Sequence, residues 1–145
     1  MSTLTQDRTE AADAAKGLSG VVPHLTVTDA TKAIEFYKSA FGAEEIGRHM
    51  ADDGKRVMHA HLKINGGNLF LNDDFPEYRG GTAAPEPAGL CLHLHVDNAD
   101  AWWQRATDAG AQVAMPLDDQ FWGDRYGQLK DPWGHVWSIG QTLET

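Results

Sequence analysis

Leu90-Cys91-Leu92-His93-Leu94-His95-Val96 alternates apolar and other side chains without a break. That two-residue period belongs to a strand with one buried face. Asn98 then caps a helix that carries Trp103 and Ala106, and Gly110 stops it. Strands fit Gln112 to Met115, Tyr126 to Lys130 and His135 to Gly140. The same order of signals occurs about seventy residues earlier. Val21-Val22-Pro23-His24-Leu25-Thr26-Val27 alternates, Asp29 caps a helix with Ile34, Tyr37 and Phe41 on one face, and Gly42 ends it. Strand-like runs follow at Glu45 to Met50, Val57 to Ile64 and Asn68 to Asn72, separated by the turn sequences Asp52-Asp53-Gly54 and Asn65-Gly66-Gly67. Val27 matches Val96 and Asp29 matches Asn98, so duplication is the simplest account.

The expected fold is therefore α+β, with two tandem βαβββ modules forming curved mixed sheets around a cleft. One helix covers only one face of its own four strands, so the other faces must meet each other or a partner. The chain divides into a flexible arm at 1–20, a first module at 21–74, a Pro- and Gly-rich linker at 75–89 and a second module at 90–145.

Composition narrows the function classes. A chain of 145 residues, 41% hydrophobic, supplies a core without disulfides, and the lone Cys91 has no partner within the chain. Neither a bilayer-spanning apolar run nor a signal-peptide pattern is present, so a cytoplasmic protein with no membrane partner is expected. A formal net charge of -9 with no Lys/Arg cluster repels phosphate backbones, which argues against nucleic acid.

The faces decide the chemistry. With Val21, Leu25 and Val27 against the helix, Val22, His24 and Thr26 face away. With Leu90, Leu92, Leu94 and Val96 buried, Cys91, His93 and His95 face away. In the third strand Met58, Ala60, Leu62 and Ile64 point one way and His59, His61 and Lys63 the other. Five histidines are thus directed toward one cavity. Neutral imidazole binds metals and titrates nearest neutrality, so a metal site or a set of proton-transfer groups fits the pattern. Amphipathic histidines on a half-exposed strand equally need no chemistry.

Three passages carry a resemblance to a known family. Val22-Pro23-His24-Leu25-Thr26-Val27-Thr28-Asp29, with the helix Ala33-Ile34-Glu35-Phe36-Tyr37-Lys38-Ser39-Ala40-Phe41-Gly42-Ala43, is similar to the opening of the PhnB-like branch of the glyoxalase/bleomycin-resistance/extradiol-dioxygenase (vicinal oxygen chelate) superfamily. Gln120-Phe121-Trp122-Gly123-Asp124-Arg125-Tyr126-Gly127 into Asp131-Pro132-Trp133-Gly134-His135-Val136-Trp137 resembles that branch's closing signature, and His59-Ala60-His61 its third strand, with His61 where an acidic residue is common. The match runs from about Val21 to Leu143.

The resemblance implies the glyoxalase/bleomycin-resistance fold. It also implies, for the superfamily's metal enzymes, one divalent ion held by the first and last strands of each module. Those ligand positions fall on Val22, Cys91, Ser138 and either Leu71 or Asn72. Valine cannot bind a metal, serine is a poor ligand, and the neutralising carboxylates are missing. The usual site is absent from the sequence.

Two readings follow. In one, the chain is a binding protein of the bleomycin-resistance type that needs no cofactor. A small aromatic or anionic molecule would be held by His24, His93, His95, Trp122 and Ser138, with Arg125 as an anchor for negative charge. In the other, it is an enzyme, glyoxalase-like lyase or isomerase or dioxygenase, with a divalent metal shifted to His24 and His93 or an acid–base site at His59 or His61. Asp124 with Arg125 also reads as a structural ion pair, and Cys91 as an inert small apolar residue. Superfamily precedent and open sheet edges lead to the expectation of a homodimer.

Overall fold

The computed structural model describes residues 18–144, so most of the expected arm lies outside the described residues. The first module is β1 (His24–Val27), α1 (Ala30–Phe41), β2 (Glu44–Met50), β3 (Val57–Ile64) and β4 (Gly67–Asp73). The second is β5 (Cys91–His95), α2 (Ala99–Asp108), β6 (Gln112–Asp119), β7 (Asp124–Lys130) and β8 (Val136–Thr142). The linker carries a short 3-10 helix, Pro76–Arg79. Each module forms one mixed sheet, ordered β1-β4-β3-β2 and β5-β8-β7-β6, with the first strand parallel to the fourth and the other pairs antiparallel. The sheets are not closed. Among the described residues no helix is long and apolar enough to cross a membrane.

The caps form where the sequence places them. Asp29 accepts from Lys32 N–H while sitting at φ 65°, a conformation Asp tolerates, and Asn98 accepts from Ala101 N–H. The buried Asp73 ties α1 to its sheet, accepting from Ala30 N–H at 2.9 Å and Val57 N–H at 2.7 Å. Helix α2 ends at Asp108 with Ala109 as its cap, and Gly110 follows at φ 114°.

One contiguous core joins the modules. Ile34, Tyr37, Phe41, Leu62, Leu71, Leu129 and Ile139 are buried in it together with Trp137. Phe41 and Tyr37 from α1 lie 4.6 and 5.3 Å, ring to ring, from Trp137 of β8. Arg105 of α2 donates to the last carbonyls of α1, Lys38 O and Ser39 O, where the helix dipole favours a cation. Asn65 donates to His95 O, and the Trp133 ring N–H to Thr28 O.

Several face assignments change. Val21 is 97% and Leu90 66% exposed, because both strands start later than the alternation suggests and neither residue reaches the core. Met58 is 41% exposed while Val57 is buried, because the β2–β3 register skips from His49↔His59 to Met50↔Val57 and leaves Met58 in a bulge. The sixth strand runs on to Asp119. Pro116 is accommodated because β6 is an edge strand with its register broken between Met115 and Asp118.

Candidate functional site

Each sheet keeps one face for its helix and leaves the other open. On the first sheet, β1 and β4 pair His24 with Phe70 and Thr26 with Asn72, while β3 and β4 pair His61 with Phe70 and Lys63 with Asn68. Residues paired across a ladder share a face, so these side chains stand together, joined by His49 opposite His59. Phe70 is their centre. Its ring lies 4.7 Å from that of His59, 5.2 Å from His61 and 6.0 Å from His24, each edge to face. His24 and His59 are 5.9 Å apart, ring to ring. His24 bonds the side-chain oxygen of Asn72, and His61 that of Asn68 at 2.8 Å. Burial, then the charges of His24, His49 and His61, hold the His59 pKa below its ordinary value. Its neutral imidazole is therefore favoured.

On the second sheet, β5 and β8 pair His93 with Ser138 and His95 with Gly140. His93 Nδ1 lies 2.7 Å from the buried Ser138 hydroxyl, its Nε2 3.1 Å from His95 Nδ1, and His95 Nε2 2.8 Å from Thr142 Oγ1. The His93 ring stacks on Tyr126 at 5.8 Å, and Tyr126 meets Trp122 edge to face at 5.5 Å. Trp122, 48% exposed, donates its ring N–H to Asp124. Burial and then His95 lower the His93 pKa, while the Asp124 charge opposes them.

The structure thus places the predicted histidines in two groups. Ring contacts and hydrogen bonds join His24, His59 and His61 around Phe70, and others join His93 and His95. None of these contacts joins one group to the other among the described residues. Arg125 lies on the helix side, donating to Asp100 of α2 at 3.0 Å and to Asp119 of β6 at 3.1 Å. It pairs with those two carboxylates rather than with its neighbour Asp124. His49, Phe70 and Tyr126 escape sequence reasoning, because the bulge in β2 and the apolar run Leu69-Phe70-Leu71 hide the alternation.

Space gives the cluster a direction. A cavity of about 410 Å³ borders His24 at the junction of the modules, lined by Leu90, Leu92, Val136 and linker prolines, with Arg79 at its edge. A more polar recess of about 630 Å³ lies between the linker and the turn at Trp133, away from the histidine rings.

Gly140 makes room for the second group. A Cβ there would meet His93 Cε1 at 2.7 Å and His95 Nδ1 at 3.5 Å. Gly140→Ala is expected to stay folded, since both imidazoles can swing toward solvent, but to break the His93–His95 contact. Histidine NMR shifts should move at those two positions with less than about 1 kcal/mol lost in stability.

The residues at the superfamily's metal positions can now be placed. Ladder register equates His24↔Phe70 with His93↔Ser138, so the counterpart of Ser138 in the first module is Phe70 rather than Leu71 or Asn72. Leu71 is buried on the helix side and Asn72 bonds His24. Val22, Phe70, Cys91 and Ser138 lack the imidazoles and carboxylates a divalent ion needs, so these positions do not fit the group. His24 and His93, the shifted pair, sit in different histidine groups. Among the described residues no three His, Cys, Asp or Glu side chains are grouped to hold a metal ion.

Two βαβββ modules, each with a helix-covered face and an open face of rings and hydrogen-bonding groups, define the class of paired-module proteins. The chain belongs to the Glyoxalase/Bleomycin resistance protein/Dioxygenase superfamily, whose family model matches residues 18–139. An uncharacterized protein of Mycobacterium bovis is 51% identical over 125 residues, which are 83% of this chain and 82% of that protein. The crystal structure of TioX from Micromonospora sp. ML1 superposes with TM-score 0.67 at 29% identity, covering 86% of this chain and 99% of that one. A protein of Bacillus cereus described as a putative 3-demethylubiquinone-9 3-methyltransferase, PhnB protein, shares the fold with TM-score 0.64 at 17% identity, covering 86% of this chain and all of that one.

Proposed function

We propose that this chain is a PhnB-like binding protein that holds a small organic molecule, aromatic or anionic, without a metal at the superfamily's usual positions. The observation that carries this reading is the set Val22, Phe70, Cys91 and Ser138, which replaces a metal-binding quartet with apolar, thiol and hydroxyl groups on faces still lined by rings. Phe70, Tyr126 and Trp122 offer aromatic surface, and His24, His93, His95 and Ser138 offer hydrogen bonds, the combination small-molecule sites use. We place the protein in the cytoplasm as a homodimer whose partner contacts the open faces.

An enzymatic reading has one observation in its favour. His59, whose pKa burial and then the neighbouring imidazoles hold below its ordinary value, suits a proton acceptor. Elemental analysis after purification without added metal separates the two. The binding reading expects no stoichiometric metal, together with micromolar quenching of Trp122 fluorescence by an aromatic probe that Trp122→Phe abolishes. A stoichiometric divalent ion lost in His24→Ala or His93→Ala would overturn it.

A further inference from the structure

We infer that the cavity at the junction of the modules is a second small-molecule site, apart from the open sheet faces, and that it takes an uncharged apolar molecule whose single O–H or N–H donates to His135 Nδ1. A phenol or an indole has that chemistry. The site goes beyond the reading of the open faces and stands on its own walls.

His135 is a built part of these walls. It is only 9% exposed, and its backbone is held by Asp131, whose carboxylate accepts the His135 N–H at 3.0 Å and whose own N–H donates to His135 O at 2.9 Å. Those two bonds fix the root of the ring. β1 is an edge strand, and the second module reaches two carbonyls at its end: the Trp133 ring N–H donates to Thr28 O, and His135 Nε2 lies 3.3 Å from Thr26 O. A carbonyl only accepts, so the proton of the His135 bond sits on Nε2. In the uncharged imidazole Nδ1 is then an acceptor, and no group among the described residues donates to it. No fully buried side-chain nitrogen or oxygen among those residues lacks a partner, so Nδ1 keeps access to open space, and the space His135 borders is this cavity.

The rest of the lining selects against charge. Leu90, Leu92, Val136, Pro85 and Pro87 supply apolar surface, and Leu90, 66% exposed, is left for an occupant to cover. A volume of about 410 Å³ is in the range of small-molecule sites and holds a fused bicyclic ring. An anion finds Arg79 already engaged by Asp74 and meets the Glu86 carboxylate in the lining. That carboxylate is turned toward Lys130 in the neighbouring polar recess, since Glu86 Oε2 and Lys130 Cε lie 3.5 and 3.9 Å from where a Cβ on Gly134 would sit. His24, at the same wall, bonds Asn72. A donor on the ligand satisfies Nδ1 in this apolar surround, whereas a molecule of the same shape without the donor displaces water from Nδ1 and leaves it unpaired.

The test uses the full chain at neutral pH and two probes, 2-naphthol, which keeps its proton there, and 2-methoxynaphthalene, the same rings with the donor replaced by a methyl ether. Binding is followed by probe fluorescence and by the nitrogen resonances of the histidines. 2-Naphthol should bind about fivefold more tightly than the ether and should move the His135 Nδ1 resonance, which the ether moves far less. In His135→Phe the two probes should bind within about twofold of each other. Leu90→Asp, at an exposed position, should weaken both alike by about threefold. Equal affinities in the unsubstituted protein, or a His135 Nδ1 resonance that 2-naphthol leaves in place, would overturn the inference whether or not His135→Phe folds. Shifts confined to His93 and His95 would overturn it while supporting the binding reading of the open faces. Failure of both probes to bind would overturn it too, and the open-face reading keeps its own test in Trp122 quenching.

Discussion

Asp131→Ala is expected to cost about 4 kcal/mol of folding stability and to lower Tm by about 10 °C or more, the largest single effect of any polar substitution in this chain. The carboxylate is buried and fully used. Oδ2 accepts the Tyr37 hydroxyl at 2.6 Å and the Trp137 ring N–H at 2.9 Å, and Oδ1 accepts the backbone N–H groups of Trp133 and His135 at 2.9 and 3.0 Å. Burial first, and the charge of Asp131 second, raise the Tyr37 pKa well above its ordinary value, so the phenol remains a donor. One side chain therefore closes the β7–β8 turn and fastens α1 of the first module to β8 of the second. Removing it strands four donors, three of them buried, and an unsatisfied buried donor costs about 1–3 kcal/mol. Asp131→Asn keeps the shape but presents an amide N–H2 to two of those donors, so about half the loss is expected. Tyr37→Phe should cost about 1 kcal/mol alone and much less in the Asp131→Ala background. Urea denaturation of the four proteins checks this. Additive losses would show that Tyr37 and Asp131 do not act through their shared hydrogen bond.

Legibility in the sequence followed how local each signal is. The helix caps Asp29 and Asn98 and the alternation of Leu92, Leu94 and Val96 depend on neighbours a few residues away, and the two βαβββ units follow from them. The open faces are legible where alternation is regular, and the strand register sets His24, His59 and His61 on one and His93 and His95 on the other. Two things depend on contacts between distant segments. The register that makes Phe70 the counterpart of Ser138 comes from parallel pairing of β1 with β4 across the module, which no local period reports. The Arg125 partner Asp100 sits on a helix 25 residues earlier, so the neighbouring Asp124 was the more visible carboxylate.

Gly127→Ala is expected to destabilise the chain by about 3 kcal/mol, more than any other single added methyl should. Gly127 is a buried residue in the middle of β7, paired with Ile139 and outside the left-handed region, so backbone freedom is not what it provides. It provides the absence of a side chain. A Cβ there would lie 2.6 Å from Trp103 Cζ3 and 2.8 Å from both Trp103 Cη2 and the Leu117 Cα. Trp103 projects from α2 and packs its ring against the strand at this point, while Leu117 belongs to the neighbouring β6. At Gly140 the crowding atoms are imidazoles with solvent beside them. Here one is backbone and the other is an indole packed against the core, so neither can yield without moving β6 or α2. The clash therefore predicts its own remedy. Trp103→Leu alone should cost about 2 kcal/mol through lost packing, but combined with Gly127→Ala it removes the obstructing ring, and the pair should be at least about 1 kcal/mol more stable than additivity allows. Thermal or urea unfolding of the single and double variants measures that coupling. Strict additivity would mean that the contact with Leu117 alone sets the cost, and that α2 is free to lift from the sheet.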